Sequence, residues 1–180
     1  MRRVALYGGS FDPPHRGHEA VVKALLAREE IEKVIIMPTF LNPFKESFFA
    51  PASLRLAWLR EIFENEKRVI VSDFEVKQER KVPTIESVAF LKEKYKEITL
   101  VIGADNLASL HKWQAFERLK ESVSFLVASR DGIEIPPEYE RLEVDVDISS
   151  SRLRNSFDTT MLVEKNAQKI EKYYKEKNER

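Results

Sequence analysis

The sequence predicts an α/β protein: a doubly wound, mostly parallel sheet of Rossmann-like kind with helices on both faces. Three observations predict it. Short apolar runs alternate along the chain with segments of helical period. The first run reads as a buried strand and passes straight into a turn rich in Gly, Pro and His and then a helix, as at the carboxyl end of a strand in an open sheet. The 180 residues show no internal repeat or low-complexity linker, and that length suits one domain with a real core.

The elements follow in order. Residues 3–7 form the first strand, and the stretch GGSFDPPHRGH, Gly8 to His18, is the turn after it. Residues 19–29 form a helix with Ala20, Val21, Ala24 and Leu25 on one face. A strand at 34–37 leads through the loop LNPFK to a helix at 53–64. Then come strand runs at 69–71 and 74–76, a helix at 85–95, a strand at 99–102, a helix at 113–120, and strands at 123–128 and 142–144. A charged helix with a narrow apolar stripe occupies 163–177. Residues 1–180 are expected to be a single domain, with 148–180 its helical C-terminal part.

Composition narrows the function classes. Lys plus Arg and Asp plus Glu number 30 each, so no global charge pulls the chain to nucleic acid or an anionic membrane. Any bound anion needs a local site. The absence of cysteine excludes disulfides and thiolate metal sites, and fits a cytoplasmic protein. No apolar run reaches membrane-spanning length, and the one after the basic start MRR is too short for a signal segment.

The turn after the first strand has the features of an anion site. Gly8 and Gly9 let a ligand approach the backbone. Pro13 and Pro14 stiffen the loop. The following helix aims its amino end at the loop, and His15 and His18, three apart, face one side there. Ser10, Phe11 and Asp12 have only backbone or packing roles to offer. Read alone, the histidines are equally caps or surface residues. A zinc pair fits less well, because that spacing is usually four with a glutamate between. No metal-ligating protein set is evident.

A second stretch, ISSSRLR from Ile148 to Arg154, resolves into Ser149 as a helix N-cap, Ser150 and Ser151 in the first turn, and Arg154 one turn on. A guanidinium placed there can clamp phosphate oxygens in two places. Alone, this stretch is also a capped surface helix with solvated arginines.

Together the two stretches resemble the nucleotidyltransferase superfamily with an H-x-G-H core, here His15-Arg16-Gly17-His18. More locally, GGSFDPPHRGH, MPTFLNPFK, SDFEVKQERKVPTIES, IGADNLASLHKW and ISSSRLR resemble the bacterial nicotinate mononucleotide adenylyltransferases. The resemblance implies transfer of AMP from ATP to nicotinate mononucleotide, with Mg²⁺ carried largely by phosphates and water. It assigns His15, His18 and Arg154 to catalysis. It assigns Gly8, Gly9, Ser10, Phe11, Gly103, Asp105, Arg130, Ile148, Ser149 and Ser150 to ATP, and Lys45, Thr84 and Trp113 to the acceptor. The chain departs from the family at Phe44, where a histidine is usual, and at Val82 and Pro83, where serine and tyrosine are usual. Arg55 either orients the LNPFK loop or is solvated, Trp113 is also a plausible packing aromatic, and Arg130 equally a strand-end arginine. Other acceptors, such as nicotinamide mononucleotide or phosphopantetheine, and a non-catalytic nucleotide-binding regulator stay open, as does a homo-oligomer.

Overall fold

The structure is a computed structural model that describes residues 3–130, 132–146, 148–155 and 157–178. The expected domain limits at 1 and 180 lie outside the described residues. The order of elements is β1 (Arg3–Gly9), α1 (Arg16–Leu26), β2 (Ile31–Pro38), α2 (Ala52–Ile62), β3 (Val69–Val71), α3 (Phe74–Gln78), α4 (Thr84–Lys92) and β4 (Ile98–Gly103). A 3-10 stretch (Ala104–Lys112) precedes α5 (Phe116–Ser122), β5 (Ser124–Ala128), β6 (Glu140–Leu142), α6 (Ser150–Asn155) and α7 (Ala167–Asn178).

The six strands lie in the order β3-β2-β1-β4-β5-β6, and every neighbouring pair is parallel. The chain steps outward from β1 to β3, then returns to the other side of β1 with β4. The switch point therefore falls between β1 and β4, and a crevice opens beyond their carboxyl ends.

Period-two alternation along buried strands splits the core in two. Val4 and Leu6 of β1 join Val88 and Leu91 of α4 and Leu119 of α5 on one face. Ala5 joins Val21, Val22 and Leu25 of α1 and Leu59 of α2 on the other. A third cluster sits on the far side of α2, where Trp58 meets Leu153, Leu162, Ile170 and Tyr174 of the C-terminal part. None of the helices among the described residues is long and apolar enough to cross a membrane.

Two expected elements differ. Residues 74–76 are helical, not strand: the Phe74 N–H donates to the Ser72 hydroxyl at 3.3 Å, a local turn that ends the extended run. Phe74 then stacks on Phe90 of α4 at 4.1 Å. The helix expected at 113–120 begins only at Phe116. Residues from Ala104 wind as 3-10 helix, Trp113 ends that stretch in extended conformation, and Ala115 adopts φ 55° before α5 starts. The apolar spacing there comes from two short helical pieces joined by a left-handed residue, which period alone does not distinguish from one helix.

Candidate active site

A cleft of about 670 Å³ lies over the carboxyl ends of β1, β4 and β5. All sixteen residues that the resemblance assigns to catalysis, ATP or the acceptor line it: Gly8, Gly9, Ser10, Phe11, His15 and His18 from the first loop; Lys45 from the loop after β2; Thr84 at the start of α4; Gly103, Asp105 and Trp113 after β4; Arg130 after β5; and Ile148, Ser149, Ser150 and Arg154 around α6.

The histidine pair is built by a reciprocal cap. His15 is the N-cap of α1, and its Nδ1 accepts from Gly17 N–H at 3.0 Å. His18 Nδ1 accepts from His15 N–H at 3.1 Å. The two rings stack with centroids 3.7 Å apart. A ring nitrogen that accepts from an amide carries no proton, so each neutral imidazole must hold its proton on Nε2. Burial lowers the His15 pKa to about 3, with the positive Arg130 adding to the effect. Burial also drives His18 well down, followed by His15 and Arg130. The pair thus presents two Nε2–H donors and no standing charge. Gly17 is required by this arrangement: a Cβ there would come within 2.8 Å of the His15 ring.

Two details differ from expectation. The first-turn amide of Gly17 is spent on His15, so the ring nitrogens, rather than that amide, are the donors the loop offers. Nor does the turn expected over Gly8 to His18 begin at the glycines. Gly8 and Gly9 end β1, and the left-handed residue is Phe11, at φ 50°. Phe11 is buried and packs edge-on against Tyr7 at 5.4 Å and His18 at 4.7 Å.

Asp12, unexplained by the sequence, is a hub. It is 3% exposed. Its carboxylate accepts from Phe49 N–H at 2.7 Å, from Ala50 N–H at 3.0 Å and from the Tyr174 hydroxyl. Its carbonyl accepts from Arg154 at 2.5 Å. Arg55 is likewise structural: only 1% exposed, it donates to the carbonyls of Ser10, Thr39, Phe40 and Ala50 at 2.7–2.9 Å. One buried guanidinium therefore ties the first loop to the loop that carries Lys45. Arg55 was readable only as a candidate, and Tyr174 only as one apolar position in a charged helix.

Ser149 acts as expected at the start of α6, its hydroxyl accepting from Arg152 N–H at 3.4 Å. Ser150 donates to Pro13 O at 2.9 Å. Arg154 also reaches Ser151 and lies 4.2 Å over the Phe49 ring. Its guanidinium carries five donors, so these contacts orient it without exhausting it. Lys45 shares this corner: burial, then the nearby Arg154, lowers its pKa. Two cations held close, with the Asp12 carboxylate offsetting them only in part, make a place for an anion. Arg130 bridges Asp105, at 3.5 Å, and Ile148 O, at 3.3 Å, joining the β4, β5 and α6 contributions.

Thr84 stands at the first position of α4, and Pro83 takes the N-cap place. The Trp113 indole N–H is buried and has no partner among the described residues. Among those residues no three His, Asp or Glu side chains gather as a metal site.

Residues 6–156 match the family described as cytidylyltransferase-like. A relative from Sulfurimonas denitrificans, described as "Probable nicotinate-nucleotide adenylyltransferase", is 58% identical over 99% of this chain and 98% of its own. One from Campylobacter fetus with the same description is 46% identical over 98% of this chain and 99% of its own. In fold the chain resembles the Plasmodium falciparum nicotinic acid mononucleotide adenylyltransferase complexed with NaAD, with a TM-score of 0.75 at 20% identity over 99% of this chain and 97% of that one.

Proposed function

The chain belongs to the cytidylyltransferase-like family and, within it, to the nicotinate-nucleotide adenylyltransferases, and from that premise we propose how its cleft works. The reaction moves AMP from ATP to nicotinate mononucleotide, giving nicotinate adenine dinucleotide and pyrophosphate for NAD synthesis. A phosphate oxygen of the mononucleotide attacks the α-phosphorus. The bond to the bridging oxygen breaks, and its electron pair leaves with pyrophosphate. The acceptor is already an anion, so alignment and charge stabilisation are what the protein must supply.

The observation that carries the assignment of roles is the histidine pair with both Nδ1 atoms occupied. Two Nε2–H donors, fixed by backbone, favour the α-phosphate as negative charge builds there. His18 is assigned to the α-phosphate and His15 to the adjoining oxygens. Neutral donors suit this task, since they bind without having to lose or gain a proton. Arg154, steadied by Asp12 and Phe49, is assigned to the leaving pyrophosphate, and Lys45 to the acceptor's phosphate. Gly8, whose missing Cβ would meet only Met37 O at 3.7 Å, leaves open floor for the nucleotide. Asp105 and Arg130 stand on the far side of the switch point from the first loop, where the nucleoside end of ATP is assigned. Thr84 and Trp113 are assigned to the nicotinate ring, whose electron-poor face suits an indole.

Mg²⁺ fits this site as a companion of ATP: the corner is rich in cations and the carboxylate of the first loop, Asp12, is committed to amides and Tyr174. When bound, it neutralises triphosphate charge. A cytoplasmic setting is part of the same proposal.

The test is pyrophosphate release from ATP and Mg²⁺ with a panel of acceptors. Nicotinate mononucleotide is expected to turn over fastest. His18→Ala is expected to lose about 10²–10³ in kcat, the scale for one lost oxyanion donor, while still folding. Equal rates with the carboxamide mononucleotide at pH 6 would overturn the acceptor, and near-normal kcat in His18→Ala would overturn the donor role.

A further inference from the structure

The acceptor side of the cleft holds a buried carboxyl that the scheme above does not use. Glu75, in the first turn of α3, lines the cleft and is only 6% exposed. The Ser87 hydroxyl of α4 donates to its Oε2 at 2.8 Å. The stacked Phe74 and Phe90 hold α3 against α4 at this point. Ser87 follows Thr84 by three residues on the same helix, so the two share a face about one turn apart. The Glu75 carboxyl is therefore placed beside the position assigned to the nicotinate ring.

Its surroundings are short of positive charge. No Lys or Arg among the described residues pairs with it. Glu86 of α4 is engaged by Arg80 at 2.9 Å, and Asp73 and Lys77 on either side of Glu75 pair with each other at 3.2 Å. Lys81 and Lys112 stand at the exposed rim of the cleft. Burial pushes the Glu75 pKa up to about 7, against the Ser87 hydrogen bond and with a small contribution from Glu86.

We propose that Glu75 is a specificity-determining residue that reads the ring substituent of the acceptor, taking a carboxylate when it is protonated and a carboxamide when it is ionised. The inference rests on the mononucleotide reading above. A protonated carboxyl can donate to a carboxylate oxygen, and once ionised it repels that carboxylate across a poorly solvated gap. A carboxamide NH₂ reverses the preference, because it donates to the ionised form.

The sign follows from the raised pKa. The proton is present below about pH 7, so affinity for the acid is greatest there and is lost as pH rises. The two mononucleotides share ribose, phosphate and ring nitrogen, so the ratio of their KM values cancels the titration of those groups. At saturating ATP, KM(acid)/KM(amide) is expected to rise roughly tenfold or more between pH 6 and 8.5 in the wild type, since each unit above the pKa removes about tenfold of the competent form. Glu75→Gln keeps a donor at every pH and is expected to flatten the ratio. Ser87→Ala removes the bond that stabilises the ionised carboxyl, so its break should move to higher pH, a readout that stands even if Glu75→Gln fails to fold. A pH-independent ratio in the wild type, or the same profile in wild type and Glu75→Gln, overturns the inference. Absence of turnover with both mononucleotides at every pH overturns the acceptor reading and this inference with it.

Discussion

His15 uses its two ring nitrogens for different ends, one closing the first turn of α1 and the other facing the cleft. Substitution can separate them. Asparagine is among the best N-caps but places no donor where Nε2 stands, and alanine supplies neither function. His15→Asn is expected to be about 1 kcal/mol more stable than His15→Ala in urea unfolding. Both should lose about 10²-fold in kcat, as for one donor to a developing oxyanion. Equal stability of the two variants would remove the cap from the account, and wild-type turnover in His15→Asn would remove the donor. The histidines themselves were legible in the sequence, because H-x-G-H is a spacing. The use of each nitrogen was not, since it depends on backbone amides that only the folded turn brings to them. Asp12 shows the same limit more sharply. Its partners lie 37, 38 and 162 positions away.

The loop between β2 and α2 shows how an irregular element is held. It has no regular ladder of its own, and Asn42 makes a local turn within it, accepting from Phe44 N–H at 2.8 Å. Beyond that, Arg55 satisfies its carbonyls from inside. A planar fork can reach four carbonyl oxygens at once, and a lysine ammonium is a point charge that cannot. Arg55→Lys is therefore expected to cost about 3 kcal/mol, from buried carbonyls left without donors, and to lower the urea midpoint accordingly. Because Lys45 rides on this loop, the acceptor KM should rise more than the ATP KM. Equal rises would mean that Arg55 supports the fold generally and not this loop. Elements of strong period were readable from sequence: β1, β2, β4 and β5 and the helices α1, α2 and α4 fall within a few residues of expectation. The failures were the short pieces. At 74–76 and 113–120 a side-chain turn and a left-handed alanine decide the conformation, and neither leaves a periodic trace.

At the scale of the whole molecule, the first loop is closed by the last helices. Ser150 donates to Pro13 O, Arg154 to Asp12 O, and Tyr174 to the Asp12 carboxylate. The same Tyr174 packs against Trp58 in the third cluster, beneath α2. The site is therefore assembled from both ends of the sequence around a sheet that binds at its switch point. The sequence showed that both motifs were present, and their direct contact appears only in the fold. Tyr174→Phe tests whether this closure matters for chemistry or only for packing. The ring stays, so the cost should be one hydrogen bond to a charged group, about 1.5–3 kcal/mol in urea unfolding. Trp58→Phe is the control, because it loosens the same cluster without touching Asp12. If the clip positions the loop, Tyr174→Phe loses kcat at saturating substrates while Trp58→Phe, at similar stability, keeps it. If the two variants lose kcat in equal measure, α7 serves the core alone, and the loop is held well enough by Arg55, Phe49 N–H and Ala50 N–H.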